Sequence, residues 1–306
     1  MIRVLGTAFA ALMGLAFGSF LNVCLTRWPA GESIVKPRSH CRNCSRTLAW
    51  WENVPLVSWL ALRGKCRTCG TWIGWRYALV EAVIAGLWGF DTWHYSNYSL
   101  LTWVPWIFFG PWLTLLYGIS QMVFIWMLVA LAVFDAEHLW LPDRLTWPGI
   151  AVGTIVGFLS ILPLIRMSDL TWKDLPRPDP IYLLGEIEVW LEPIIAAAIA
   201  AGLILLIRWV YKLVRHREGL GLGDAKLMAM LAAWLGLPGA LLSFAIGVVL
   251  GSVVAIVVLA GRKNIEGSKS WAGMKLPLGT FLCIGGILSS LWGQPIIAAY
   301  MRWAGF

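Results

Sequence analysis

Apolar runs long enough to cross a bilayer recur along this chain, and they limit its fold before any motif is considered. They cover about residues 4–26, 78–91, 113–134, 147–165, 193–214, 225–237, 240–260 and 276–298. A hydrocarbon core about 30 Å thick needs roughly 20 apolar residues in a helix rising 1.5 Å each. Only 13% of the chain is charged, against about 25% in a soluble domain. The expected fold is an all-α polytopic membrane protein with about eight transmembrane helices. Residues 225–237 are few for a full crossing, so that helix is short or continues past Pro238. The first run, after Arg3, has the look of a signal peptide, but it continues through Asn22 and Cys24 with no small-x-small cleavage site, and it reads as a retained helix.

The basic residues orient the helices. With eight crossings, loops 27–77, 135–146, 208–226 and 261–275 share one side and hold 19 of the 24 Lys and Arg. The positive-inside rule makes that side the cytoplasm and puts both termini outside. The net charge of +8 is therefore a topology signal, and nucleic acid is not an expected partner. Residues 91–112, rich in Trp and Tyr with Pro105 and Pro111, read as an interfacial segment with aromatic anchors, with an extra crossing as the rival. Residues 166–192 read as a polar loop.

Residues 27–77 stand apart as a polar, basic insert with nine Lys and Arg. About 50 residues bury too little apolar surface to fold unaided, so a staple is expected. Cys41-x-x-Cys44 and Cys66-x-x-Cys69, separated by 21 residues, supply one. Four thiolates in two such knuckles close a tetrahedral zinc site. Two local disulfides are the alternative, disfavoured where cytoplasmic thiols stay reduced. Four Cys leave no open position, so the metal is expected to support folding rather than catalysis. Cys24 and Cys283 lie in apolar runs and read as packing residues.

Acids are costly in membrane helices, and two lie at helix ends. Asp135 closes one apolar run and Asp224, after Gly221-Leu222-Gly223, opens another. The topology puts both at the cytoplasmic face. Two carboxylates that share a site divide the work of general acid and general base. There is no HExxH, no GxSxG and no plausible Cys–His pair in the chain. For Asp224 alone, helix capping is the simpler reading. Asp143 reads as a helix cap, His138 as an interfacial histidine, Glu81 as half of an ion pair with a basic residue, and Lys226 as a snorkelling lysine or a charge stabiliser near Asp224. Asn22, beside Gly18 and Ser19, suggests close helix packing.

Taken in order, these pieces resemble the type IV prepilin leader peptidases. The resemblance covers nearly the whole chain. It rests on Gly18-Ser19-Phe20-Leu21-Asn22-Val23 with Arg27 and Pro29, and on the array Cys41 to Cys69 enclosing Glu52-Asn53-Val54-Pro55-Leu56-Val57-Ser58. Arg76-Tyr77 with Val80-Glu81, Asp135-Ala136-Glu137-His138 with Leu141-Pro142-Asp143, and Gly221-Leu222-Gly223-Asp224-Ala225-Lys226 complete it. The chain departs from the family pattern at Ala78, where proline is usual, and at Leu278 and Thr280, where Phe and Pro are usual. Segments 91–112 and 166–192 are longer than the family leads one to expect.

The resemblance implies an aspartic endopeptidase with Asp135 and Asp224 as catalytic pair. It would remove the basic leader of type IV prepilins or type II secretion pseudopilins at the cytoplasmic face of the bacterial inner membrane. It also implies N-methylation of the new terminus with S-adenosylmethionine. The expected organisation is a first transmembrane helix (1–26), a cytoplasmic zinc-binding module (27–77) and a transmembrane catalytic domain (78–306). The expected partners are prepilin or pseudopilin substrates and membrane lipid. The competing readings are a presenilin-like intramembrane protease and a non-enzymatic ion-coupled transporter or pilus-assembly scaffold.

Overall fold

A computed structural model describes residues 1–101, 104–167, 186–216, 221–262 and 276–305. Among them the chain is helical, with isolated β-bridges as its only extended pairing. The helices are α1 (Ile2–Arg27), α2 (Val57–Ala61), α3 (Trp75–Leu101), α4 (Val104–His138), α5 (Asp143–Met167), α6 (Glu186–Arg215), α7 (Leu222–Arg262) and α8 (Leu278–Trp303). Five of them, α1, α4, α6, α7 and α8, contain stretches long and apolar enough to cross a membrane. Large side chains such as Leu206, Leu213, Val249, Ile256 and Val257 face outward. A contiguous apolar exterior of this kind suits lipid and not water. The chain is a multi-pass membrane protein.

The described residues of the segment 91–112, read from sequence as interfacial, are helical: α3 runs to Leu101 and α4 opens at Val104. Pro105 falls in the first turn of α4, where a missing N–H removes no helical hydrogen bond. The polar segment 166–192 lies outside the described residues over 168–185. Within α7 the backbone departs from helix at Gly236 (φ 68°, ψ 173°), two residues before Pro238. Only glycine adopts that conformation cheaply. The two runs expected at 225–237 and 240–260 are therefore two helices that meet at a kink, both included in α7.

Two compact units divide the chain, Met1–Ala130 and Leu131–Phe306. In the first, α1 packs on α3. A Cβ at Gly14 would lie 2.7 Å from Ala85 Cα, and one at Gly18 would lie 2.7 Å from Glu81 Cα. Glycine at both places lets the two backbones meet. Asn22 Nδ2 donates to the Tyr77 carbonyl at 2.9 Å, the hydrogen-bonding contact expected of it. Among the described residues Glu81 forms no salt bridge. Its carboxylate accepts the Leu56 backbone N–H at 2.7 Å, which ties α3 to a turn where Leu56 has a φ of 59°.

In the second unit α7 packs against α5, α6 and α8. Trp234 Nε1 donates to the Gly149 carbonyl at 2.8 Å, and its ring covers Gly153. Gly285 lies directly against the Ser243 backbone, and Gly247 against Phe281 and Leu282. These close approaches lay the first turns of α8 along the part of α7 that follows Gly236.

Candidate functional site

The cysteine module is assembled from local turns. The two knuckles repeat one backbone pattern. Cys41 N–H donates to the Arg46 carbonyl and Ser45 N–H to the Cys41 carbonyl, both at 2.9 Å. Cys66 N–H donates to the Thr71 carbonyl and Gly70 N–H to the Cys66 carbonyl, again at 2.9 Å. Ser45 (φ 55°) and Gly70 (φ 67°) occupy the same left-handed position after each second cysteine. The four sulfurs of Cys41, Cys44, Cys66 and Cys69 lie within 4.8 Å of one another, and Cys41 Sγ is 3.7 Å from Cys69 Sγ. Four zinc–sulfur bonds of about 2.3 Å at tetrahedral angles give edges of about 3.8 Å. The geometry fits a metal ion, and none of the six cysteines is bridged to another.

The surroundings favour the thiolate at two of these sulfurs, Cys69 and Cys66. Cys44 is pushed up to about 11: against the lowering by the Arg46 backbone bond, burial and hydrogen bonds to the other three cysteines raise it. The Thr71 hydroxyl and backbone N–H, with the Asn43 side chain, hold the Cys69 thiol down to about 5. The backbone N–H groups of Cys69 and Thr68 lower Cys66. Between the knuckles, Arg46 donates to Glu52 Oε1 at 2.7 Å and the Ala49 N–H donates to Oε2 at 2.8 Å. The Glu52 side chain is 1% exposed. The adjacent Arg46 guanidinium holds its carboxyl below the ordinary range.

The acids form the second centre, within the second unit. Asp135 lies in the last turn of α4 and is 6% exposed; Asp224 lies in the first turn of α7 and is 9% exposed. They are within electrostatic range of each other. The two are held differently. Asp224 Oδ2 accepts the Gly221 N–H at 3.1 Å. This is the reach-back half of a capping box, so the capping reading is correct as far as it goes. Asp135 sits at the unfavourable end of its own helix dipole and is received by another helix. Thr280 N–H, in the first turn of α8, donates to Asp135 Oδ2 at 2.7 Å, and Thr280 Oγ1 lies 3.2 Å from the same oxygen. The Thr280 hydroxyl also reaches the Ala132 carbonyl at 3.0 Å.

Leu141 connects the two acids sterically. A Cβ at Gly223, next to Asp224, would lie 3.1 Å from Leu141 Cδ1. One at Gly279 would lie 3.2 Å from the same atom and 2.9 Å from Asp135 Cγ. Neither glycine can carry a side chain unless Leu141 or the carboxylate moves. Sequence reasoning missed Leu141, Gly279 and Thr280 as parts of this site. The signals present were Leu141 within the first acid motif and Thr280 as a departure from the family pattern, and neither named a role beside the acids.

The other candidates lie around this core. Lys226 Nζ pairs with Asp143 Oδ1 at 2.6 Å and stands 5.8 Å over the Trp147 ring, which links the starts of α7 and α5. Asp143 thus does more than cap α5. His138 stacks toward Phe134 and lies 3.9 Å from Glu137. Cys283, one turn after Gly279, is fully buried and within range of both acids. Residues 217–220, the first part of the glycine-rich approach to Asp224, lie outside the described residues.

The chain matches two family models: the bacterial peptidase A24 N-terminal domain over residues 12–95 and the type IV leader peptidase family over residues 122–256. It is 31% identical to a prepilin leader peptidase/N-methyltransferase of Pseudomonas aeruginosa, over 96% of this chain and 93% of the relative. A protein of the same name from Stutzerimonas stutzeri is 30% identical over the same shares. One from Myxococcus xanthus is 34% identical over 82% of this chain and 62% of its own. No solved structure matches the chain. With both family models matched in order and such relatives aligned over nearly their whole length, this chain belongs to the type IV leader peptidase family.

Proposed function

We propose that this protein is a membrane aspartic endopeptidase that uses Asp135 and Asp224 to remove the basic leader peptide of type IV prepilins or type II secretion pseudopilins. It works at the cytoplasmic face of the bacterial inner membrane, through eight crossings in which the two halves of α7 count separately. It then methylates the new N-terminus. One observation carries the assignment of residues: two buried carboxylates lie within electrostatic range at the mouths of two helices. The family and the names of the relatives support the substrate class.

The chemistry needs a water between the carboxylates. One carboxylate takes a proton from the water as its oxygen attacks the scissile carbonyl carbon. The other, protonated, gives its proton to the carbonyl oxygen. The tetrahedral diol collapses when the C–N bond breaks and the leaving nitrogen takes a proton from the pair. Water is added across the peptide bond, and the acids return to their starting state.

Zinc is the proposed metal of the four cysteines, in a structural role, since all four ligand positions are filled. S-adenosylmethionine would supply the methyl group. The cavity of about 350 Å³ beside α1 and the module has Arg27 and Arg38 in its lining and no carboxylate. That lining does not suit a cationic sulfonium, and we assign no residue to the methyl donor. Mass spectrometry of a pilin co-expressed with this protein tests the whole reading. Leader loss and the gain of one methyl are expected. An unchanged pilin mass, with proton-coupled flux in vesicles, would mean a transporter instead.

A further inference from the structure

We infer that Thr280 is a positioning residue that makes Asp135 the base of the pair and leaves Asp224 as the acid. The inference rests on the proposed catalytic pair and deepens it. Its basis is the unequal donor supply at the two carboxylates.

Asp135 Oδ2 receives the Thr280 N–H at 2.7 Å and has the Thr280 hydroxyl at 3.2 Å. A backbone N–H can only donate, and 2.7 Å is at the short end of the N–H···O range, where bonds to an ionised oxygen also fall. The donors belong to the first turn of α8, whose dipole favours a negative charge. The hydroxyl proton has two acceptors within reach, the Ala132 carbonyl at 3.0 Å and Asp135 Oδ2 at 3.2 Å, and the second adds to the donors at Asp135. Asp224 Oδ2 has the single N–H of Gly221 at 3.1 Å, an ordinary neutral length. Two carboxylates in electrostatic range do not both ionise easily. The one that keeps the charge is the one with more donors.

The roles then follow. Asp135 uses Oδ1, the oxygen Thr280 leaves free, to take a proton from water as the water oxygen bonds to the carbonyl carbon. Asp224 gives its proton to the carbonyl oxygen. When the C–N bond breaks, the proton held by Asp135 goes to the leaving nitrogen. The diol returns one to Asp224 as the carboxylic acid product forms.

The test is the pH profile of kcat for leader cleavage by the full-length protein in membranes, with a pilin substrate. Besides the two acids, the titratable groups near Asp135 are Cys283 on α8, Glu137 and His138 on its own helix, and the Asp143–Lys226 pair of α5 and α7. Thr280→Val removes the hydroxyl and keeps the N–H. It should lower kcat roughly 10-fold with KM nearly unchanged, the effect of one hydrogen bond to a charged group. It should move the acidic limb to higher pH and leave the alkaline limb in place. Thr280→Ser should restore both values. Thr280→Pro removes the N–H as well, at a first-turn position whose N–H has no intrahelical partner, and should shift the acidic limb further than Thr280→Val.

Movement of the alkaline limb instead would overturn the assignment, because Asp135 would then be the acid. Unchanged limbs and kcat in Thr280→Val and Thr280→Pro would overturn it too. So would a Thr280→Ser enzyme as impaired as Thr280→Val at equal membrane content and melting temperature. If Asp135→Asn still cleaves at the normal rate, the fault lies with the catalytic pair itself and not with Thr280.

Discussion

The cysteine module and the acid site both gather groups that repel one another when charged, and they do so by opposite means. The module draws its four sulfurs and their donors from Cys41 to Thr71, and every key backbone bond there is local. The acid site draws from the ends of three helices, and its bond from Thr280 to Asp135 spans 145 positions. Their surroundings explain the difference. A polar insert of this size cannot bury enough apolar surface to hold its turns, so a cation must neutralise and staple the thiolates. Membrane helices are formed before they pack, and their unpaired terminal N–H groups are donors already in place. The acid site needs no ion because helix ends take that role.

The comparison fails or gains force with a few measurements. The largest effect is expected from metal loss. Cys66→Ser or strong chelation should unfold the module between α1 and α3, since structural zinc is worth about 10–16 kcal/mol in small zinc domains. Limited proteolysis in that segment, with the other helices still protected, reads it out. A module that stays folded without metal would end the contrast. Next, Asp135→Asn or Asp224→Asn should slow leader cleavage by roughly 10²–10⁴-fold while bound zinc, measured per chain, stays constant. Gly279→Ala comes third. Its Cβ would press on Asp135 Cγ at 2.9 Å, and a displaced carboxylate should cost roughly 10–100-fold in kcat.

The smallest effect is one of pH. The Glu52 carboxyl is held below its ordinary value by Arg46, then by the Ala49 N–H. A depressed carboxylate adds stability that is present above its unfolded value, near 4.5. That stability is lost as pH falls through the lower folded value. Glu52→Gln should therefore speed zinc release several-fold near neutral pH, and the gap from wild type should close in acid. Release of zinc to a colorimetric chelator measures both. A gap that widens toward acid would show that Glu52 acts by something other than its charge.

The two regions also differed in what could be read from the chain. The knuckles were legible because their ligands and turns are neighbours in sequence: Cys41-x-x-Cys44-Ser45 and Cys66-x-x-Cys69-Gly70 carry their geometry with them. The long helices were legible because apolar runs state their own length. The break at Gly236-Leu237-Pro238 was visible in the residues, and the backbone departs from helix there. The partners of Asp135 were not legible. Thr280 and Gly279 stood out only as a departure from a family pattern and a common helix residue, because their meaning comes from packing between α4 and α8. Glu81 and Lys226 were misjudged for the same reason. A charge seeks its partner across helices, and spacing along the chain does not name it.

Leu141 has one further consequence. Its side chain fills the space that a Cβ at Gly223 would enter on one side and a Cβ at Gly279 on the other. The three positions therefore share one volume, and mutations there should behave as a set. Leu141→Ala empties room that Gly223→Ala partly refills, so the second change should act as a suppressor of the first. Single changes at either position should be worse than the pair. In descendants of this gene, the residue at 141 should drift only in step with the one at 223. The separation of the two acids would then be inherited as the size of a single side chain.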